Sequence, residues 1–171
     1  AEAAGRTLTI GTNGFTNNGT LQVSAGTLAV SSTASSNSGS LIASGTGRID
    51  FSGGGTFNGS RLLSIGLGSQ IELRGNLLGD STNRDLFAGL GSLFFDGTGT
   101  AQNPQLFEVM ANDLGQMTAG FTRNFGYGTI SLANNTYVRL VDQSDNSAGA
   151  GAEAVYVSSL IVPAGTTLDL N

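Results

Sequence analysis

The chain has 171 residues, enough for one domain or one segment of a repeat array. Its formal net charge of −5 argues against a nucleic-acid partner, which wants a basic face, and against docking on anionic membrane surfaces. All seven basic residues are Arg, and the absence of Lys, His, Cys and Trp removes His-based triads, Schiff-base lysines, disulfides and the favoured zinc ligands.

Taken in chain order, the sequence predicts short strands of apolar–x–apolar form at Leu8-Thr9-Ile10, Leu28-Ala29-Val30, Ile49-Asp50-Phe51, Ile71-Glu72-Leu73 and Leu93-Phe94-Phe95. Their first members stand at positions 8, 28, 49, 71 and 93, a near-constant period. The period-two alternation sends Leu8 and Ile10 to one face and Thr7 and Thr9 to the other. Between these strands runs a second series, Gly19-Thr20-Leu21, Gly39-Ser40-Leu41 and Gly59-Ser60-Arg61-Leu62, with the glycines evenly spaced at positions 19, 39 and 59 and Asn18, Asn37 and Asn58 nearby. Self-similarity at such a period marks a repeat architecture in which no single repeat buries its own apolar face, so successive repeats must stack.

After Thr100 the register changes. Residues 101–126 carry Pro104, both Met residues and Phe107, Phe121 and Phe125, and are expected to form an irregular insertion or lateral cap, with residues 105–116 as a short helix or loop excursion. The strand pattern resumes over 127–171. Val138 and Leu140 are matched one period later by Leu160 and Val162, and Ile130 and Leu132 are matched, after a slightly longer interval, by Val155 and Val157. Leu168 and Leu170 begin one more strand.

The fold expected is therefore all-β: one domain over 1–171 built as a right-handed parallel β-helix, or β-solenoid, with coils of about 20–22 residues, regular over 1–100 and 127–171. The handedness follows the general bias of parallel crossovers. The 27 Gly supply corners, and a charged fraction of 11 % against a usual ~25 % suits an extracellular or cell-surface setting more than the cytosol. No apolar run approaches the ~20 residues of a membrane span. The first residues lack the basic start and apolar core of a signal peptide, and without an initiator Met the chain reads as processed or excised.

The segments Asn17-Asn18-Gly19-Thr20-Leu21, Asn37-Ser38-Gly39-Ser40-Leu41 and Phe57-Asn58-Gly59-Ser60, with the stretch from Tyr127 to Asp142 and the closing Leu160 to Asn171, are similar to the β-helical repeat regions of secreted bacterial surface proteins, the autotransporter passenger domains and filamentous-haemagglutinin-like adhesins. The resemblance covers most of the chain in style, rests on degenerate motifs, and implies a β-helical fold and a surface location without supplying catalytic residues.

Candidate chemistry is sparse. Asp50 and Glu72 fall on neighbouring repeats facing outward, with Arg48 and Arg74 close enough to intervene, which reads as a solvated face with local ion pairs or as a carboxylate pair of the kind polysaccharide-cleaving enzymes use. Asp142, Asp145 and Asn146 put oxygen ligands at short spacing and are candidates for calcium, the one cofactor the sequence offers, though neither EF-hand nor β-roll spacing is present. Tyr127, Tyr137 and Tyr156 are candidate stacking platforms for carbohydrate. The segment Ser52-Gly53-Gly54-Gly55-Thr56 reads as a corner, not a phosphate loop, because no Lys or helix follows. Asn18, Asn58 and Asn134 open glycosylation patterns that double as turn chemistry. An outward column of Thr9, Ala29, Asp50, Glu72 and Phe94 is no ice-binding ladder. The function expected is a non-enzymatic structural module: a rod-like spacer, adhesin stalk or self-assembling fibre subunit. Its partners would be copies of itself stacked end to end, neighbouring segments of a longer parent, or glycans. The alternatives are a carbohydrate-binding surface and a polysaccharide-cleaving β-helix.

Overall fold

A computed structural model describes residues 5–171 apart from 12, 33, 54, 57–60, 66–67, 86–90 and 150. The chain runs as a succession of short strands that recur in the same order. The first repeat holds β1 (Thr7–Ile10), β2 (Phe15–Asn17) and β3 (Thr20–Val23); the second β4 (Thr27–Val30), β5 (Ser35–Asn37) and β6 (Ser40–Ser44); the third β7 (Arg48–Phe51), β8 (Gly55–Thr56) and β9 (Arg61–Ile65). Then come β10 (Gln70–Leu73) and β11 (Leu77–Leu78), β12 (Ser92–Phe95) and β13 (Gln105–Glu108), β14 (Ala111–Asn112) and a single 3-10 turn at Thr118–Phe121. The chain closes with β15 (Tyr127–Leu132), β16 (Tyr137–Val141), β17 (Glu153–Ala154), β18 (Val157–Ile161) and β19 (Thr167–Asp169).

The structure is all-β with a parallel sheet of seven strands in the order β1-β4-β7-β10-β12-β15-β18. A second seven-stranded sheet takes the next strand of every repeat, in the order β2-β5-β8-β11-β13-β16-β19, and β3-β6-β9 form a third. Each strand thus pairs with its equivalent one repeat away, which satisfies its backbone groups between repeats and not within one.

The register in the first sheet matches the sequence ladder: Leu8↔Leu28↔Ile49↔Ile71↔Leu93 and Ile10↔Val30↔Phe51↔Leu73↔Phe95 stand opposite one another. Ile130 and Leu132 extend both columns. From Leu28 to Ile130 and from Val30 to Leu132 these side chains are buried and form the core. The alternation explains why: Leu, Ile, Val and Phe fill every second position, and β-branched or aromatic residues suit a pleated, packed surface. Phe15 meets Phe51 edge-on at 5.7 Å, and Phe95, Phe107 and Tyr127 form a chain of rings at 5.0 and 5.5 Å.

Corners are fixed by amide side chains. Asn17 stands opposite Asn37, donates to its Oδ1 at 2.6 Å and donates again to the Ser40 carbonyl. Asn17, not Asn18, is therefore the counterpart of Asn37. A Cβ at Gly39 would overlap the Gly19 carbonyl of the preceding repeat, so the tight stacking of these corners requires glycine. In the third sheet Ser40 faces Arg61, one position beyond what the even glycine spacing implies. Asn58, Gly59 and Ser60 lie outside the described residues, as does Gly54 of the glycine corner.

Three expectations change. The first part of residues 105–116 is neither helix nor excursion: Gln105–Glu108 is a strand of the second sheet, with Phe107 opposite Leu77 and Leu140. Helix-favouring residues there yield to the burial of Phe107 and to the ladder. The irregular segment is thus confined to 109–126, and a second excursion follows β16. The two meet where β14 pairs antiparallel with β17. Third, the closing register is longer than the sequence pattern implies. Ile130 stands opposite Leu160, not Val155, and Val138 stands opposite Leu168, not Leu160, because the second excursion lies between the paired strands. Among the described residues no helix is long and apolar enough to cross a membrane.

Candidate functional site

The densest polar chemistry lies on the outer face of the first sheet. The register that turns Ile49, Phe51, Ile71 and Leu73 inward brings Asp50 and Glu72 side by side on the opposite face. Directly opposed like charges repel, and the chain answers with two arginines. Arg48 pairs with Asp50 at 3.5 Å and with Glu72; Arg74 reaches Asp50 at 3.1 Å, Glu72 at 2.8 Å and Asp96 at 3.4 Å. Gln70 donates its amide to Glu72 at 3.1 Å. Although Glu72 projects from the outer face, it is only 2 % exposed, flanked by these longer side chains. Its carboxyl is pushed up from 4.5 to about 7, chiefly by burial and then by the neighbouring Asp96 carboxyl, against the pull of Arg48.

Sequence reasoning finds Asp50, Glu72, Arg48 and Arg74 and misses Asp96. That residue sits just past β12, outside the alternation, and only the strand register reveals that it neighbours Arg74. The cluster is more buried than the solvated face the sequence suggests. Beside it, Thr7, Thr27, Thr46, Arg48 and Gln70 line a shallow groove of about 350 Å³.

The calcium candidates are dispersed. Asn146 is buried and commits its amide to the carbonyls of Gly79 and Ser81 at 3.2 and 2.9 Å, while Asp142 and Asp145 stay in solvent. Two carboxylates that the sequence does not single out hold this loop: Glu108 accepts from the Gln143 and Ser144 amides, and Glu153 from those of Asn146 and Ser147. Burial raises both carboxyls, and these backbone bonds partly offset it. Among the described residues no group of three or more acidic, His or Cys side chains could hold a metal ion.

Burial removes two of the three tyrosines, Tyr127 and Tyr156, as stacking platforms. Tyr127 and Tyr156 are each 8 % exposed, so neither offers a ring face to a sugar. Tyr127 packs on Phe107, and burial drives its phenol well above the ordinary value. Tyr156 fastens the first excursion: its hydroxyl accepts from the Leu114 amide at 2.7 Å and donates to the Gly115 carbonyl at 2.9 Å, and Phe121 meets its ring edge-on. Tyr137 is half-buried, with the Arg139 guanidinium 5.7 Å from its ring and its hydroxyl on Asp169 at 2.8 Å. Asn134, in the left-handed region at φ 52°, gives its amide to the Asp96 carbonyl, as turn chemistry demands. Asn18 accepts from the Ser38 hydroxyl at 2.6 Å.

These features define an all-β repeat protein with parallel sheets and a buried outer ion cluster. Comparison with known proteins finds no family model, no curated protein and no solved structure that matches the chain.

Proposed function

We propose that the chain is a right-handed parallel β-solenoid serving as an extracellular structural module, a rod-like spacer, adhesin stalk or fibre subunit, without catalytic activity. The observation that carries this reading is the pairing of strands with their equivalents in the next repeat through two seven-stranded parallel sheets. Such stacking gives a stiff body whose length grows with repeat number, roughly 30 Å for seven strands at ~4.8 Å each. Its end strands keep unpaired backbone groups that accept a further strand. Leu8 at one end and Leu160, Ile161 and Leu170 at the other are exposed. Between Phe95, Phe107, Leu132, Val138, Leu160 and Leu168 the core opens in a cavity of about 190 Å³, an apolar seat suited to another repeat of a longer parent or to a second copy stacked end to end.

Negative-stain electron microscopy with light scattering on the same sample tests this. Uniform filaments support a self-stacking subunit, and a monodisperse monomer leaves the spacer or stalk. Association that does not lengthen the particle along the stack would sink the fibre subunit. The groove beside Arg48 favours a second reading, a carbohydrate-binding surface, because Thr7, Thr27, Arg48 and Gln70 repeat hydrogen-bonding groups in register along it. Retention on an insoluble polysaccharide, abolished by Arg48→Ala, tests that alternative. Polysaccharide cleavage is the least favoured, since Glu72 is covered and the carboxylates are engaged by guanidinium groups.

A further inference from the structure

The exposed large apolar side chains among the described residues are not scattered. Leu8 stands at one end of the stack, and Leu160, Ile161, Val162 and Leu170 stand at the other; the rest belong to the first excursion. The two ends also share a register. Leu8 opens the inward column of the first sheet that closes at Leu160. In the second sheet Phe15 opens the column that passes through Phe107 and Leu140. Leu170, one position beyond the Arg139↔Asp169 pair, falls next in that column and lines the apolar cavity together with Leu140 and Leu160. The outward positions at the two ends, Thr7 and Thr9 against Ser159 and Ile161, carry no charge, and the acidic residue of the last strand, Asp169, is paired with Arg139 at 2.8 Å. A chain with a net charge of −5 can therefore meet its own copy here without opposing like charges.

We propose that the β18–β19 end of the stack takes the β1–β2 end of a second copy of this chain, head to tail and in the register of the stack itself, so that Leu160 meets Leu8 and Leu170 meets Phe15. The inference rests on the fibre-subunit reading above and names its partner and its pairing. Strands β18 and β1 each keep one unpaired edge, and parallel pairing between them repeats the ladder already used seven strands deep. Leu8 of the second copy caps the apolar cavity, and both exposed rows leave water together. The third sheet ends at β9, so the two long sheets make the junction. The contact is heterologous, joining two different ends, and each added copy presents a new end, so growth is open and linear.

The test uses disulfide capture. Thr9 and Ile161 lie in one outward column and are exposed, so substitution at either leaves the core intact. Across the junction they would stand ~4.8 Å apart, inside the roughly 4.4–6.8 Å that a disulfide spans. The chain has no cysteine of its own. Thr9→Cys and Ile161→Cys are made in separate chains, mixed and oxidised. A disulfide-linked dimer is expected from the mixture and from neither variant alone. Adding Leu8→Glu to the Thr9→Cys chain puts a carboxylate against the apolar seat and should cut the yield at least about tenfold. Leu114→Glu, at an exposed apolar residue of the excursion, should leave the yield unchanged. No cross-link in the mixture, equal cross-linking of one variant with itself, or a yield that follows Leu114 and not Leu8 overturns the proposal. A distance measured inside one chain, between labels at Thr27 and Ser159, does not depend on the junction. If that distance fits the stack and the cross-link fails, the head-to-tail partner falls and the stack stands; if the distance itself is wrong, the underlying reading falls with it.

Discussion

Leu73→Ala probes the packing that joins the repeats. Leu73 lies on β10, fully buried, between Phe51 and Phe95 in its column. The substitution removes three carbon atoms, worth about 2.5 kcal/mol at ~0.8 kcal/mol each. The rings on either side are themselves held, Phe51 by Phe15 and Phe95 by Phe107, so the site cannot collapse and a cavity adds ~1–2 kcal/mol. The expected loss is about 4 kcal/mol in urea unfolding followed by far-ultraviolet circular dichroism. The outward control Thr27→Ala should stay within about 0.5 kcal/mol. Because stacked repeats open in parts, amide hydrogen exchange on β7, β10 and β12 should accelerate in the Leu73 variant while β16 and β19 are spared. A loss below about 1 kcal/mol, or one equal to that of Thr27→Ala, would refute the inward ladder and the stacking built on it.

Other perturbations probe the corners, the excursion and the last strand. In Gly47→Ala the new Cβ would overlap the Val23 carbonyl of the preceding repeat; the repeats must part, and a loss of about 1–3 kcal/mol is expected in the same urea assay. Tyr156→Phe removes the hydroxyl that ties Leu114 and Gly115 and should cost ~1–2 kcal/mol, with faster exchange of the Leu114 amide and unchanged exchange in β10. Asp169 behaves oppositely to Glu72. The hydrogen bond from Arg139, then those from Tyr137 and the Asn171 amide, hold its carboxyl down from 3.8 to about 2. Its stabilisation is therefore present above 3.8 and lost as pH falls through about 2, and a carbon-13 titration of Asp169 should give that midpoint in the native chain and a higher one, between about 2 and 3.8, in Arg139→Ala.

The first half of the fold is legible because one signal determines it. Apolar residues at every second position, returning once per repeat, leave one inward face and one way to stack it, so the columns through Leu28 and Val30 match the register residue for residue. Beyond Phe95 the same signal misleads. Val138-x-Leu140 and Leu160-x-Val162 share a pattern, yet they belong to different sheets, and the longer step between true partners depends on an excursion whose folded path no local pattern encodes. Residues 105–108 carry helix-favouring residues, and only the slot between Leu77 and Leu140 makes Phe107 a strand residue. At the candidate site, the alternation makes Asp50 and Glu72 visible. Asp96 stays hidden because it follows its strand, and the burial of Glu72 stays hidden because it depends on where two long arginines lie. Tyr127 and Tyr156 mislead for a related reason: a ring with a wet hydroxyl and a ring on a sugar-binding face have the same sequence, and burial alone separates them.

The stacking is tested most directly by a distance along it. The chain contains no cysteine, so residues introduced at Thr27 and Ser159 carry the only spin labels. Both sit in one outward column, linked through Arg48, Gln70, Ser92 and Thr129. Five strand spacings separate them, so double electron–electron resonance should give a narrow distribution centred at about 24 Å. A broad distribution, or a narrow one far from that length, would contradict the continuous stack on which the proposed rod depends.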